Sequence, residues 1–426
     1  MSTTRNAGGQ VLARAAAGMR LDLRLAIRNV LRHKRRSAVA IGAVAAGVVA
    51  LLLAGGFFEF VYQAIRESTI RARIGHIQIT RAGYRESGTS QPYAFMLPET
   101  SEVRKQIESY PEVEVVAPRL TFNGLISIGD STKSFFGEGV DPVRERKLSG
   151  AMAILEGEDL AESQRNGIIL GQGLAQTLEV KIGTPVVLLA TPASGAISGV
   201  DATVRGIFGT SVKAYDDYAL RMPLKAAQAL LRTKDVHAWL VLLHDTRQTD
   251  EVLQRITPLL KANGLEGVPW YANQLADFYN KTVKLFSEQV LVLKIMIGVI
   301  IVLSISNTMM TSVRERISEI GTSMALGDRG SVVLRRFLAE GAVTGVIGGV
   351  IGVIVGVLLA MVITWIGIPM PAPPGMARGY IAGIVVTPQL VADGLILSAS
   401  TALLAGIYPA WRAARMNTVD ALRHAH

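Results

Sequence analysis

The side chains that could perform chemistry are few in this sequence, and they are not grouped. The 426 residues include no cysteine, which excludes a disulfide framework, a thiolate zinc site and a cysteine nucleophile. The six histidines are scattered, and although His237 and His244 flank a predicted strand, no clear Asp or Glu ligand spacing joins them. The tripeptide at 129–131 (Gly-Asp-Ser) resembles a hydrolase fragment, but its place between two predicted strands favours a β-turn.

Motifs for nucleotide and peptide chemistry are missing as well. The sequence has no G-x-x-x-x-G-K-[ST], so this chain has no P-loop of its own to hold ATP phosphates. It also has no G-x-S-x-G nucleophile elbow and no H-E-x-x-H zinc motif. We therefore expect a non-catalytic chain that binds no metal and no cofactor itself.

Four apolar stretches dominate the chain and must position whatever function it has. They lie at 37–62, 288–310, 337–368 and 390–408, and each supplies the roughly 20 apolar residues that a bilayer core of about 30 Å requires. A buried helix of a soluble core is the alternative for any one of them, but four of this length favour membrane spans. The first apolar run is longer than the core of a typical signal peptide, which favours an uncleaved anchor.

The formal net charge of +10 is distributed unevenly around these spans. Residues 1–36 carry nine basic residues and one acid, and the link at 311–336 carries five arginines and three acids. The 409–426 tail has three arginines and one acid, whereas the 63–287 segment is neutral, with 25 of each sign. Because short basic flanks stay in the cytoplasm, both termini and the 311–336 link are predicted to be cytoplasmic, with 63–287 and 369–389 outside. The basic balance thus reflects topology and does not indicate nucleic-acid binding.

The 63–287 segment is predicted to be a folded α+β domain. Strand-like runs lie at 76–80, 113–122, 124–129, 186–191, 202–208 and 238–243. Helical runs lie at 101–110, 224–233 and 249–264, without strict alternation of helices and strands. A further helical pattern begins at Asn273 and continues into the second span, which predicts one long helix that enters both the membrane and the outer domain.

Two further patterns concern the membrane helices. The text from Arg20 to Ser37 predicts an amphipathic helix at the cytoplasmic membrane surface, although it could be only a basic flank that sets topology. Small residues at four-residue spacing predict close helix or subunit packing, with general tolerance of glycine in membranes as the alternative. The two glycine series of the third span are Gly341, Gly345, Gly349 and Gly348, Gly352, Gly356, and a weaker series in the fourth span is Ser398, Ala402, Gly406.

Charged residues near the spans are sparse. Lys294 is expected to snorkel outward or to pair with Glu288, and Asp393 and Glu340 are expected near helix ends where water is close. A proton relay needs several ionisable groups at the bilayer centre, and the sequence shows none. A proton-driven carrier is therefore disfavoured.

The architecture of one span, a large outer domain and three further spans resembles the FtsX-like permease family of ABC transporters. This family includes the macrolide-exporter (MacB) and lipoprotein-releasing (LolC/LolE) permeases. The resemblance lies in RLAIRNVLRHKRRS, IGHIQITRAGY (74–84), GIILGQGLAQTLEVKIGTPVVL (167–188), RERISEIGTSMALGDRGSVVLRRFLAEG (314–341) and YPAWRAARMNTVDALR. In the last of these, Thr418 replaces the usual Pro and Asp420 the usual Glu. The fold that the resemblance implies is an α-helical membrane protein with four transmembrane helices and a MacB-like periplasmic α+β core between helices 1 and 2.

The most specific of these segments is the cytoplasmic link. It resembles the family's coupling segment, which implies contact with an ATPase through Arg314, Glu315, Arg316, Glu319, Ile320, Gly321, Ala325, Leu326 and Gly327. Independently, a short helix that is charged on one face and ends at Gly327-Asp328 would give a soluble motor a rigid element to grip. A plain cytoplasmic linker is the alternative.

The resemblance also implies partners and a mechanism in a bacterial inner membrane. Two permease chains, identical or paralogous, would pair with two copies of a separate ATPase that binds ATP and Mg. Closure of the ATPases would pull the coupling helices together, and the long second helix would transmit the motion to the outer domain. The 74–84 segment favours release of lipoproteins or lipids. The stretch that corresponds to the carrier-binding hook of that branch is 190–201, which is short and has no basic residue. The alternatives are efflux with a periplasmic adaptor, activation of a cell-wall hydrolase, and a membrane-anchored sensor that uses no ATP.

Overall fold

The structure is a computed structural model that describes residues 24–32, 34–88, 90–129, 131–150, 152–163, 166–210, 212–371 and 379–416. Two compact units are present. One contains the apolar helices, and the other contains residues 62–283 with 369–381. Residues 1–23, which include the start of the predicted amphipathic helix, lie outside the described residues. So do Asp130 of the predicted turn and the closing motif at Thr418 and Asp420.

The membrane unit is built on four helices that are long and apolar enough to cross a bilayer, among the residues described. Each is longer than the predicted span, because polar turns continue the helix beyond the apolar core. With a leading helix α1 (24–32), their bounds are α2 Lys34–Thr69, α10 Asn273–Glu315, α12 Gly330–Ile366 and α13 Pro388–Ala414. A shorter helix, α11 (Ile317–Ala325), lies between α10 and α12.

The other unit is organised around a ten-stranded mixed sheet of order β12-β1-β11-β3-β4-β9-β6-β8-β5, with β7 paired to β3 and β8. The pairs β4–β9 and β6–β8 are parallel, and the other pairs are antiparallel. The strands are β1 Ile77–Arg81, β3 Val113–Ile128, β4 Ser131–Val140, β5 Ala153–Gly157, β6 Gly167–Gly171, β7 Pro185–Ala190, β8 Ser198–Gly209, β9 Ala219–Pro223, β11 Ala238–Leu243 and β12 Leu265–Pro269. Two small pairs lie off the sheet: β2 Leu97–Pro98 with β10 Asp235–Val236, and β13 Ile368–Met370 with β14 Tyr380–Ala382.

Helices cover this sheet and complete the α+β domain. Their bounds are α3 Tyr84–Ser87, α4 Glu102–Glu108, α5 Pro142–Leu148, α6 Gln172–Thr177, α7 Lys213–Asp216, α8 Leu224–Leu231 and α9 Thr249–Ala262. Strand β11 shows why both faces are covered. Trp239, Val241 and Leu243 join the main core, whereas Leu240 and Leu242 join a second cluster on the opposite face. Alternate residues of a strand point to opposite faces, so an uninterrupted apolar strand must be buried on both.

Two of the predicted strands are a single strand in the structure. The two runs at 113–122 and 124–129 form the single strand β3, because Asn123 and Gly124 pair with β4 without a break, opposite Phe136 and Phe135. The last paired residues before the turn of the β3–β4 hairpin are Ile128 and Ser131. Gly129 begins that turn with a φ of 53°.

Candidate coupling site

The predicted coupling segment is a helix bounded by two breaks in backbone geometry. Helix α10 ends at Glu315, and Arg316 leaves the helical region, with φ −107° and ψ 16°. Helix α11 follows and ends just before Gly327, whose φ of +107° lies in a region that residues with a Cβ rarely adopt. Helix α12 starts three residues later, at Gly330. The predicted stop at Gly327-Asp328 therefore has a conformational cause.

The nine residues of the coupling prediction separate into two groups by exposure. Ile320 and Gly321 are buried, and Ile320 packs in an apolar cluster with Phe337 of α12 and Ala410 of α13. Arg316 is partly buried. Leu326 is 85% exposed although it is apolar. The remaining exposed members are Arg314, Glu315, Glu319, Ala325 and Gly327. One side of α11 thus packs on the membrane helices while the other side and its end form a surface.

Ion pairs that no local sequence pattern reveals stabilise the base of this surface. Arg36, just inside α2, donates to Glu315 Oε2 at 2.5 Å and through Nε to the carbonyl of Thr308 at 3.0 Å. Arg316 pairs with Glu340 of α12 at 3.2 Å. The positions of these residues could have indicated the pairs, because the two members of each pair lie at the predicted cytoplasmic ends of different spans.

A second brace closes the loop after α11. Arg336 of α12 contacts the Asp328 carboxylate at 2.9 Å, and the Ser323 hydroxyl of α11 also donates to that carboxylate. These hydrogen bonds, with the charge of Arg336, lower the pKa of Asp328 and keep it ionised. Asp328 therefore ties the loop between α11 and α12 to both helices through charge-assisted hydrogen bonds.

The first glycine series of α12 contacts α13. A Cβ on Gly345 would lie 2.4 Å from the Cβ of Ala402, and one on Gly341 would lie 3.2 Å from the Ala402 carbonyl oxygen. A Cβ on Gly349 would lie 2.3 Å from the hydroxyl of Ser398. The predicted small-residue series of the fourth span is therefore the partner of the first glycine series.

The second glycine series of α12 contacts α2. Cβ atoms on Gly348, Gly352 and Gly356 would lie 2.7–2.8 Å from side-chain atoms of Val44, Val48 and Leu52 respectively. A subunit interface or a helix interface was predicted for these glycines. The structure uses both series for close packing of helices within one chain.

Lys294 pairs differently from the prediction. Its ammonium group lies 2.7 Å from Asp393 of α13, not beside Glu288 of its own helix. Pairing lowers the cost of two charges on otherwise apolar helices, so this ion pair joins α10 to α13. Glu340 is likewise held by Arg316.

The leading helix α1 packs less deeply than its apolar residues suggested. Ala26 and Val30 are buried against Val343 of α12, whereas Ile27 and Leu31 are 43% and 61% exposed. An apolar edge that remains exposed beside arginines is the pattern of a helix at a membrane surface.

The outer domain offers less to a candidate site. The turn between β7 and β8, at 191–197, is exposed and places Ile197 at 72% exposure. His237, which was considered as a metal ligand, is buried, and its Nδ1 accepts from the Thr121 N–H at 3.2 Å. Within the described residues, no group of three or more His, Asp or Glu side chains is placed to hold a metal.

Comparison with known protein families shows which family this chain belongs to. A model described as MacB-like periplasmic core domain matches residues 37–259, more than half of the chain. A model described as FtsX-like permease C-terminal matches residues 291–418, which include α11 and both glycine series. The chain belongs to the FtsX-like and MacB-like family of ABC transporter permeases. This confirms the predicted resemblance and, with the four apolar helices and the inserted α+β domain, the predicted fold class.

The permease is similar to several relatives along most of its length. It is 23% identical over 335 residues to the lipoprotein-releasing system transmembrane protein LolE of Haemophilus influenzae, covering 75% of this chain and 80% of LolE. It is 24% identical over 419 residues to an uncharacterised ABC transporter permease of Methanocaldococcus jannaschii, covering 95% and 98%. A shorter match, 31% over 187 residues, is to the macrolide export ATP-binding/permease protein MacB of Salmonella typhi, covering 43% of this chain and 26% of MacB. The permease is a multi-pass membrane protein with a periplasmic-type domain between its first two spans.

Proposed function

We propose that this permease is the non-catalytic membrane subunit of an ABC transporter and that it works by mechanotransmission. A separate ATPase subunit docks on the exposed side and end of α11, hydrolyses ATP with Mg, and moves the outer domain through the membrane helices. The observation that carries this proposal is the exposed end of α11, where Leu326 is 85% exposed. Behind it, Ile320 packs on α12 and α13, and Arg336 holds Asp328. A docked motor would then push on a braced element.

The polar braces suggest how force leaves the docking surface. Glu315 and Arg316 are adjacent in sequence, and they connect to Arg36 of α2 and Glu340 of α12. A displacement of α11 would therefore be shared among three spans, since charge-assisted hydrogen bonds are stronger than neutral ones. In this arrangement both termini and α11 are cytoplasmic, and the unit built on the ten-stranded sheet is extracytoplasmic.

We propose that the cargo is a lipoprotein or lipid taken from the outer leaflet of the membrane. Similarity to LolE, and at 24% identity to LolC of Neisseria meningitidis, supports this class. Efflux with a periplasmic adaptor is the second candidate, supported by the shorter match to MacB. A second permease chain, identical or paralogous, completes the transporter in either case.

Docking is tested by co-purification of the ATPase with Leu326→Asp permease from native membranes. A carboxylate at a buried apolar contact is costly, so we expect loss of most of the bound ATPase. The matched control is Ile197→Asp, the same kind of change on the exposed turn of the outer domain, which should retain the ATPase. Retention of the ATPase by both variants would refute docking at α11. Lipid-modified protein in the wild-type complex would support the lipoprotein cargo, whereas loss of small-molecule resistance on gene deletion would favour efflux.

A further inference from the structure

The C-terminal end of α2, its exit, lies in the sheet unit and has an unusual backbone. The helix continues past Thr69 as a π-helical turn, Ile70–Ile74, in which Gly75 N–H donates to the Ile70 carbonyl at 2.9 Å. Ile70 and Ile74 are buried against the sheet. The helix ends at Gly75, and β1 begins two residues later, at Ile77. A π-turn carries one extra residue per turn and is costly, so it persists where packing requires it.

Beneath this turn lies a buried ionic network that involves three strands and one helix. Arg119 of β3 contacts Glu138 of β4 at 2.8 Å and Glu145 of α5 at 2.6 Å. Arg221 of β9 contacts the same two carboxylates at 2.9 and 3.2 Å. No side chain of the four is more than 7% exposed. Although burial raises the pKa of Glu138, the two guanidinium groups hold it at about 2, so the network is ionised.

The network extends to the backbone of the π-turn. Arg221 Nη2 donates to the Ala72 carbonyl at 2.8 Å, and Arg119 Nη1 lies 3.4 Å from the Arg73 carbonyl. Tyr215 connects the same groups, because its hydroxyl donates to Glu138 at 2.8 Å and its ring lies 5.3 Å below the Arg73 guanidinium. The exit of α2 is thus fixed at its main chain by two buried arginines, Arg119 and Arg221.

A second polar contact fixes the same helix one turn earlier. The Thr246 hydroxyl donates to Glu67 of α2 at 3.0 Å and lies 2.9 Å from His76 Nε2. His76 Nδ1 accepts from the Leu243 N–H at 3.0 Å, so the ring is held by β11. Helix α2 is therefore tied to the sheet at two levels.

The entry of α10 is built differently. Ala276 interrupts its first turns with φ −117° and ψ 33°. An exposed polar contact lies here, in which Asn280 Nδ2 donates to the Tyr271 carbonyl at 3.0 Å, and the rings of Trp270 and Tyr279 meet edge to face with their centroids 5.1 Å apart. A cavity of about 210 Å³ adjoins this turn, lined among others by Thr69, Arg73, Tyr215, Leu275 and Ala276. Apolar contacts beside empty space can slide, whereas a buried ionic network cannot shift without exposing unpaired charge.

We propose that α2 is the helix fixed to the outer domain, that Arg119, Glu138, Glu145 and Arg221 are its positioning residues, and that α10 pivots at Ala276. This inference rests on the proposed function. It also changes the expected route, in which α10 alone carries the motion. In this arrangement α2 drives the sheet as a rigid lever, and the first turns of α10 adjust against the cavity.

Distances between spin labels test this arrangement in the complete transporter, reconstituted with its ATPase in lipid nanodiscs. The natural chain has no cysteine, so pairs can be introduced cleanly. One pair, Ala64→Cys with Lys261→Cys, joins α2 to α9 on the sheet. The other, Lys281→Cys with Lys261→Cys, joins α10 to the same reference. We expect a narrow distribution for the first pair, unchanged by ADP and vanadate, and a broader one for the second pair that shifts with nucleotide.

The variant that tests the network is Arg221→Lys. A single ammonium group cannot reach both carboxylates and the Ala72 carbonyl, so the first distribution should broaden about twofold while the protein stays folded. Arg247→Lys is the matched control, because Arg247 is exposed and should leave the distribution unchanged.

Two results would overturn the inference: a resting distribution of the first pair as broad as that of the second, or no broadening in Arg221→Lys. Where that variant fails to fold, the resting widths of the two pairs in the otherwise natural chain decide. A third result is a narrow first distribution and a broad second one, with neither changing when nucleotide is added. It would support the fixed attachment of α2 and refute mechanotransmission, so the inference and the proposed function can fail separately.

Discussion

Substitution of Gly345 by alanine tests the close packing of α12 on α13. The added Cβ would lie 2.4 Å from the Ala402 Cβ and 2.9 Å from the Ser398 carbonyl oxygen. Carbon atoms in good contact are about 3.5–4.0 Å apart, so the helices must separate by about 1 Å. Neither neighbour can rotate away, because one is an alanine methyl group and the other is backbone. We expect a loss of about 1–3 kcal/mol in the free energy of unfolding.

Other glycines of the membrane unit provide matched controls. A Cβ on Gly42 of α2 would meet no atom within 4 Å, so Gly42→Ala adds helix propensity without a clash and should be neutral or stabilising by up to about 1 kcal/mol. Gly349→Ala should fall between the two, because its nearest neighbour is the Ser398 hydroxyl, which can adopt another rotamer. The compensating pair Gly345→Ala with Ala402→Gly removes the 2.4 Å contact and should recover part of the loss.

The assay is reversible unfolding of the purified permease in mixed micelles, followed by circular dichroism at increasing fractions of SDS. The expected order of stability is Gly42→Ala, then Gly349→Ala, then Gly345→Ala. Equal stability of Gly42→Ala and Gly345→Ala would refute the packing of α12 on α13. Failure of Ala402→Gly to rescue any of the loss would show that Ala402 is not the neighbour that limits the approach.

Three further predictions concern charge and backbone geometry. Burial lowers the pKa of His76 to about 4 from the ordinary 6.5, so its stabilisation is fully present above pH 6.5 and is lost as pH falls towards 4. We expect protonation of this group to lower the free energy of unfolding by roughly 3 kcal/mol across that window. His76→Gln should remove that part of the pH dependence, which denaturation at pH 7 and at pH 4.5 measures. Lys294→Met leaves the Asp393 carboxylate without its partner in the membrane and should cost about 1–3 kcal/mol in the same SDS assay. The double variant with Asp393→Leu should cost less, and equal losses in both variants would show that the pair is not formed. Gly75→Ala should lower the melting temperature of the permease, because φ is 66° and the new Cβ would lie 2.9 Å from the Val241 carbonyl oxygen. An unchanged melting temperature would contradict the left-handed exit from the π-turn.

Much of the fold follows from local pattern in the sequence. The four spans are visible because a bilayer demands long apolar runs, and the mixed strands and helices of the inserted domain are visible because each has its own periodicity. The end of the coupling helix at Gly327 could be predicted, because glycine and charged residues interrupt the apolar pattern there. Its start could not, since the coupling segment was predicted at 311–336 and α10 continues through Glu315 before α11 begins at Ile317. Its role as a docking surface stays a prediction.

Local sequence pattern could not predict contacts between residues that are far apart in the sequence. Lys294 was expected to snorkel outward or to pair with Glu288, one or two turns away, but it contacts Asp393, 99 residues away. The glycine spacing predicted close packing, but which helix each series meets depends on how three spans are arranged around α12. Asn123 was expected to end a strand, yet pairing with β4 carries β3 through it, because cross-strand hydrogen bonds outweigh the weak strand preference of one residue.

The sequence by itself determined the number of spans, their orientation as a hypothesis, the α+β class of the inserted domain and the family resemblance. Only the tertiary structure placed Arg119, Glu138, Glu145 and Arg221 together beneath the π-turn of α2. These residues are up to 102 positions apart and have no common motif. The physical reason is that hydrophobic periodicity reports which face of an element is buried. Pairing of buried charges depends on sheet order and register, and these are set by contacts between distant strands.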